Sequence, residues 1–150
     1  MTKILFLIAI SIIAGCSTKK IPITSNEAAL KDVLSFNTTF IKKKSKLFTG
    51  DYNFRNLSAK NSILIYLHDI TCSWGNQAGI VRNDRPFNIG EKTIDIKIGA
   101  VKMVKLRCDV NNEGSGEMTF TIKKIYDNPG HDGKIAGATL GENLVWKFKE

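Results

Sequence analysis

Strict two-residue alternation of apolar and polar side chains runs through the second half of this chain and commits it to a sheet. Ile94, Ile96 and Ile98 alternate with Thr93, Asp95 and Lys97, and Val104, Leu106 and Cys108 alternate with Lys105 and Arg107. Met118, Phe120 and Ile122 alternate with Thr119, Thr121 and Lys123, and Leu144, Trp146 and Phe148 with Val145, Lys147 and Lys149. Successive side chains of a strand point to opposite faces, so each run has one face for a core and one for water, the pattern of antiparallel sheets. Ile63 to Leu67 is apolar at nearly every position, which suits a central strand covered on both sides. Turn signals separate the runs at Gly50-Asp51, Gly75-Asn76, Asn88 to Gly90, Asn111 to Gly116, Asn128-Pro129-Gly130 and Asp132-Gly133. The expected fold is mainly β, a single antiparallel β-sandwich or small barrel of about seven or eight strands.

The first fifteen residues follow a different rule. Lys3 precedes an apolar run from Ile4 to Ile10 that resumes with Ile12 and Ile13, and the small residues Ala14 and Gly15 lead to Cys16. A basic start, a short apolar segment and a small-residue exit form a secretory signal peptide, too short to cross the ~30 Å hydrocarbon layer as a permanent helix. The competing reading makes the segment a buried strand or helix and Cys16 a core cysteine. Ile13-Ala14-Gly15-Cys16 resembles the lipobox of bacterial lipoproteins. That resemblance covers about twenty residues and implies a diacylglycerol on the Cys16 thiol, cleavage before Cys16 and acylation of the new amino terminus. It also implies residence in the cell envelope. Ser17 lacks the aspartate that favours inner-membrane retention in enteric bacteria, so the outer membrane, facing the periplasm, is the default in a Gram-negative cell. No family is recognised for the rest of the chain.

Cleavage removes one basic and no acidic residue, leaving 21 basic against 14 acidic side chains, a formal +7, on 135 residues. That length fits one domain with its own core. The expected divisions are a signal peptide over 1–15, a lipidated cysteine and flexible tether over 16–25, and one β-rich domain over 26–150. Ser17 to Ile23 is polar, basic and broken by Pro22, and could hold the domain up to ~30 Å from the bilayer. Thr24 and Glu27 have the capping-box spacing, and Leu30, Val33 and Leu34 follow at helical spacing, which predicts one short helix from about Glu27 to Ser35. In an exported chain the even pair Cys72 and Cys108 reads as a disulfide, the alternative being two reduced, buried cysteines. The bridge would close a 36-residue loop, worth roughly 4 kcal/mol in chain-entropy terms. Trp74 follows Cys72 too closely, and Leu106 stands where an immunoglobulin-like domain has its tyrosine, so only a sandwich in general is implied.

Candidate chemistry is sparse. With only His68 and His131, acid/base catalysis near neutral pH has few carriers. The spacing of His68 and Cys72 matches no usual zinc pattern, and a disulfide would consume both thiolates, so no metal is expected. Ser115, in Glu113-Gly114-Ser115-Gly116-Glu117, lacks the glycine spacing of a nucleophile elbow and reads as a hairpin loop. Gly137 to Gly141 carries no phosphate-binding lysine. Asp127, Asn128 and Asp132 cluster near glycines without the spacing of a calcium loop and read as a turn. Glu91, Glu117 and Asp127 are present with nothing in the sequence to pair any two of them. No catalytic residue and no cofactor is therefore expected.

The remaining feature is basicity. Lys42, Lys43, Lys44 and Lys46 form a possible patch for an anionic ligand, while Lys105, Arg107, Lys123, Lys147 and Lys149 project from outward strand faces. Such a field attracts lipid head groups, lipopolysaccharide phosphates or acidic wall polymers; the bland alternative is that lysines keep strand faces soluble and edges unsticky. Nucleic acid is not expected, because no aromatic residues are interleaved with these lysines as a stacking platform. The leading functional expectation is a non-enzymatic, lipid-anchored envelope module that binds or scaffolds, partnered by the membrane and by an envelope protein or anionic polymer. The alternatives are an inhibitor or exclusion factor against an envelope hydrolase or phage component, and, third, a wall-acting hydrolase.

Overall fold

The computed structural model describes residues 18–23, 27–84, 92–130 and 136–149. The leader, Cys16, Ser17, Glu91, His131 and Asp132 lie outside them. Among the described residues eleven strands are present: β1 (Lys19–Pro22), β2 (Glu27–Leu30), β3 (Leu34–Lys44), β4 (Leu47–Asn56), β5 (Ile63–Tyr66), β6 (Ile70–Trp74), β7 (Gln77–Asn83), β8 (Thr93–Ile96), β9 (Val101–Val110), β10 (Glu117–Asp127) and β11 (Thr139–Lys149). A 3-10 turn at Leu67–Asp69 joins β5 to β6. All pairings are antiparallel and build one open sheet in the order β1-β3-β4-β9-β7-β6-β10-β5-β8. β2 also pairs with β3, and β11 with β10.

The expected two-sheet sandwich or closed barrel of seven or eight strands is therefore a single continuous sheet of eleven, and its mainly β, antiparallel character holds. It encloses a sandwich-like core because it is creased. β6 and β9 flank β7 on either side, and strands two places apart in a flat sheet are at least about 9.5 Å apart. The Cα atoms of Cys72 on β6 and Cys108 on β9 are only 6.2 Å apart, joined by a disulfide. The sheet must bend sharply along β7 to allow this. Gly79 of β7 sits under the bridge, where an added Cβ would lie 2.7 Å from Cys108 Sγ and 2.8 Å from Cys72 Sγ.

Beyond the crease, the inner faces of β3 and β4 meet those of β10 and β11. Tyr52 stacks on Phe36 with ring centroids 5.1 Å apart and lies 5.1 Å from Phe120, while Trp146 is edge-on to Phe36 and Tyr52. Phe48 and Trp74 close the other end of the core at 4.7 Å. β5 is buried along Ile63, Leu64 and Ile65, as its unbroken apolar run implies.

The helix expected over Glu27–Ser35 is a hairpin. β2 reverses into β3 through Lys31-Asp32-Val33, with Asp32 at φ 56 and the Val33 N–H donating to Leu30 O. Leu30 and Leu34 are direct cross-strand partners. A pair of leucines four apart suits one turn of helix and equally the two sides of a three-residue hairpin loop. Edge pairing against β3 wins because an isolated nine-residue helix is marginal in water. Asn26 and its two predecessors, the start of the expected capping box, lie outside the described residues.

Two further stretches are more ordered than their composition suggests. Lys19–Pro22, read as tether, is β1, paired with Phe40–Lys43 of β3, and Ile21 and Ile23 are buried. Gln77–Asn83, between the expected turns, is β7. A bulge in β3 between Thr38 and Ile41 shifts the phase of the strand, pinned by Thr38 Oγ1, which donates to Asp51 O at 2.7 Å. Upstream of it Leu34, Phe36 and Thr38 point inward; downstream Ile41 and Lys43 do, leaving Phe40, Lys42 and Lys44 on the outer face.

A basic cleft on the outer face

The phase shift in β3 separates the four lysines of the 42–46 run. Lys42 and Lys44 stand exposed on the outer face. Lys43 takes the other face, its Nζ 4.1 Å above the Trp74 ring. Lys46 lies in the β3–β4 turn, where its Nζ donates to Asn111 O at 2.7 Å and its carbonyl accepts from Val110 N–H. The run is thus not one patch.

The outer-face lysines instead join cations from other strands. Lys42, Lys44 and Lys105 line a cleft of about 200 Å³ together with Thr18, Leu47, Thr49 and Asp84. Register assembles it: Lys42 pairs with Thr49, and Asp51 on β4 pairs with Lys105 on β9. Asp84 does not neutralise the lysines of β3, because it is 3.3 Å from Lys105 and 3.5 Å from Arg107. Arg107 also reaches Asp109 at 3.1 Å, and Asp109 reaches Arg82. Among the described residues no carboxylate is paired with Lys42 or Lys44.

β1 adds to the positive charge. Lys20 is the direct cross-strand partner of Lys42, and Lys19 of Lys43. The Nζ atoms of Lys20 and Lys42 lie 4.2 Å and 5.9 Å from the Phe40 ring centroid, so one aromatic ring serves two cations. Like charges directly opposite in a ladder destabilise it. Sequence reading missed Lys20 and Lys105 as partners of Lys42, since only the register brings them together; the adjacent pair Lys19-Lys20 was the one available signal.

The other sequence candidates are placed as follows. Cys72 and Cys108 are bridged. Among the described residues no three His, Cys, Asp or Glu side chains converge as a metal site. His68, largely exposed, stacks on Tyr66 at 5.1 Å and has its Nε2 3.8 Å from Asp69 Oδ2. Tyr126 is edge-on to Tyr66 at 5.5 Å, and partial burial, followed by the Asp69 carboxylate, holds its phenol above the ordinary tyrosine value. Asn128 is fully buried, its side-chain amide donating to Asp95 at 2.6 Å, so Asp127-Asn128 belongs to a structural corner. Ser115 is not in a hairpin: β9 and β10 do not pair with each other, and its loop crosses to Gly75, where a Cβ would strike Ser115 O. Glu117 is paired with Lys147 at 2.8 Å, and Asp127 lies at the opposite end of β10, ten residues or about 34 Å away. These two carboxylates cannot act on one bond.

Neither a protein-family model nor a curated protein matches the chain. Among solved structures it is similar to ycdA of Bacillus subtilis, a protein described provisionally as a lipoprotein, with a TM-score of 0.52 and 11% sequence identity. The likeness covers 84% of this chain and 39% of that one, so the chain spans about two-fifths of the length of the structure it matches. At that identity the likeness is one of fold.

Proposed function

We propose that the protein is a lipid-anchored module of the cell envelope that works by binding, with the cleft of Lys42, Lys44 and Lys105 as its recognition surface for an anionic group. The observation that carries this reading is the gathering, on one outer face, of lysines from β3 and β9 that the described carboxylates leave in excess. The envelope address rests on the leader and Ile13-Ala14-Gly15-Cys16, and the fold likeness to a chain described provisionally as a lipoprotein agrees with it. Thr49 supplies a hydroxyl donor beside the lysines, as a phosphate or carboxylate would need.

Crosslinking in membranes followed by co-purification tests the reading. Anionic lipid or polymer, or a recurring component of an envelope assembly, is the expected product, and replacing Lys42 and Lys44 by glutamine should remove it. A single envelope hydrolase as the dominant partner would turn the assignment to an inhibitor. Wall fragments trapped at the Tyr66–His68–Asp69 cluster would turn it to an enzyme.

A further inference from the structure

We infer that the basic ladder of β1 and β3 rests directly on the phosphates of anionic lipid head groups, so that the module lies with this face against the membrane and does not swing on a tether. The inference rests on the lipid-anchor reading of Cys16. Three observations carry it. Thr18 lines the cleft, and only Ser17 stands between it and Cys16, so two residues of chain, at most ~7 Å, separate the cleft wall from the anchored residue. A lipid on Cys16 therefore brings this cleft to the head-group layer.

The second observation is the charge at that point. Lys20 on β1, four residues after Cys16, and Lys42 and Lys44 on β3 stand on the outer face of two adjoining strands, and the direct cross-strand pair Lys20–Lys42 sets lysine opposite lysine. A ladder selected for stability alone would place carboxylates opposite these lysines. A plane of phosphates relieves the repulsion from outside, and each cation near an anionic surface adds to the attraction. The third is shape. Lys20, Lys42 and Lys44 project from the outer face of extended backbone, the first two close to the Phe40 ring, which suits a surface of repeating head groups. Free phosphate shares this chemistry, but the position of Thr18 favours the membrane as its source.

Amide hydrogen exchange of the full lipidated protein in vesicles tests this. On phosphatidylcholine containing about one-third phosphatidylglycerol, exchange at Ile21, Ile23 and residues 42–44 should be about tenfold slower than on pure phosphatidylcholine. The difference should vanish near 1 M salt, where the Debye length is ~3 Å. It should also vanish in Lys20→Gln/Lys42→Gln/Lys44→Gln and persist in Lys60→Gln/Lys97→Gln/Lys123→Gln, which removes the same charge from other elements. Equal exchange on the two lipids, or equal loss of protection in both triple variants, overturns the inference. Protection by inorganic phosphate in phosphatidylcholine alone overturns it in favour of a soluble anion. Failure of the protein to float with either vesicle refutes the lipid anchor itself, an outcome distinct from flotation without protection.

Discussion

Replacing Gly79 with alanine should couple to the disulfide more strongly than to anything else in the molecule. The new methyl would lie 2.7 Å from Cys108 Sγ, 2.8 Å from Cys72 Sγ and 3.0 Å from Asp109 O. Comfortable contact for such heavy atoms is about 3.5–4.0 Å, so each sulfur would have to retreat by roughly 1 Å. Neither can do so independently, since they are bonded to each other. Overpacking of this kind costs about 1–3 kcal/mol, and the upper half of that range applies where two neighbours are rigid. Gly79 is not in the left-handed region, so alanine carries no backbone penalty there and gains ~0.4–1 kcal/mol by restricting the unfolded chain. The net expectation is a loss of about 1.5–2.5 kcal/mol with the bridge in place. In a Cys72→Ala/Cys108→Ala background the sulfurs are gone, and Gly79→Ala should be neutral or stabilising by up to ~1 kcal/mol. Urea unfolding followed by the fluorescence of buried Trp74 and Trp146 closes the cycle, with an expected coupling of about 2–3 kcal/mol. A loss of equal size in both backgrounds would refute the creased-sheet account of how β6, β7 and β9 meet.

The remaining expectations are simpler. Tyr52 is fully buried and its hydroxyl has no hydrogen-bond partner, so Tyr52→Phe should stabilise the fold by about 1 kcal/mol in the same urea assay. Burial holds the Tyr52 phenol far above its ordinary value, and Tyr126 is raised too; neutral phenols then stabilise the fold below the unfolded value of about 10, and this contribution declines as pH rises beyond it. Ultraviolet titration should show tyrosinate from Tyr52 only as the protein unfolds. Lys42→Glu sets opposite charges across from Lys20 and should raise stability by about 0.2–1 kcal/mol while abolishing retention on anionic vesicles. Thiol titration of the denatured, unreduced mature chain should find neither Cys72 nor Cys108 reactive, and reduction should cost up to about 4 kcal/mol.

Strands whose apolar residues alternate without interruption were legible from the sequence, as β9, β10 and β11 show. β7 was not: Ala78 and Gly79 leave it no apolar period, and its place is set by the crease and the bridge above it. β2 was misread because Leu30 and Leu34 satisfy a helical and a hairpin spacing alike. The cleft was half legible. Lys42 and Lys44 stand out in any reading, but the bulge after Thr38 decides that Lys43 faces away, and long-range register alone brings Lys20 and Lys105 beside them. The disulfide followed from counting cysteines in a chain read as exported, whereas its passage over an intervening strand had no signature beyond the glycine at 79.

If Cys16 carries the proposed lipid, any force that draws the protein away from the membrane is applied first to β1, a four-residue edge strand that begins three residues later. Its attachment is one ladder with β3 and the burial of Ile21 and Ile23, about 3–6 kcal/mol of apolar contact, far less than holds the creased sheet behind it. Under load β1 should peel while the core stays intact, releasing the six residues from Thr18 to Ile23 as about 20 Å of extra reach. On the lipid-anchor reading the same stretch would be a docked strap at rest and a leash under tension, with reach for a partner at the bilayer surface or about 20 Å above it.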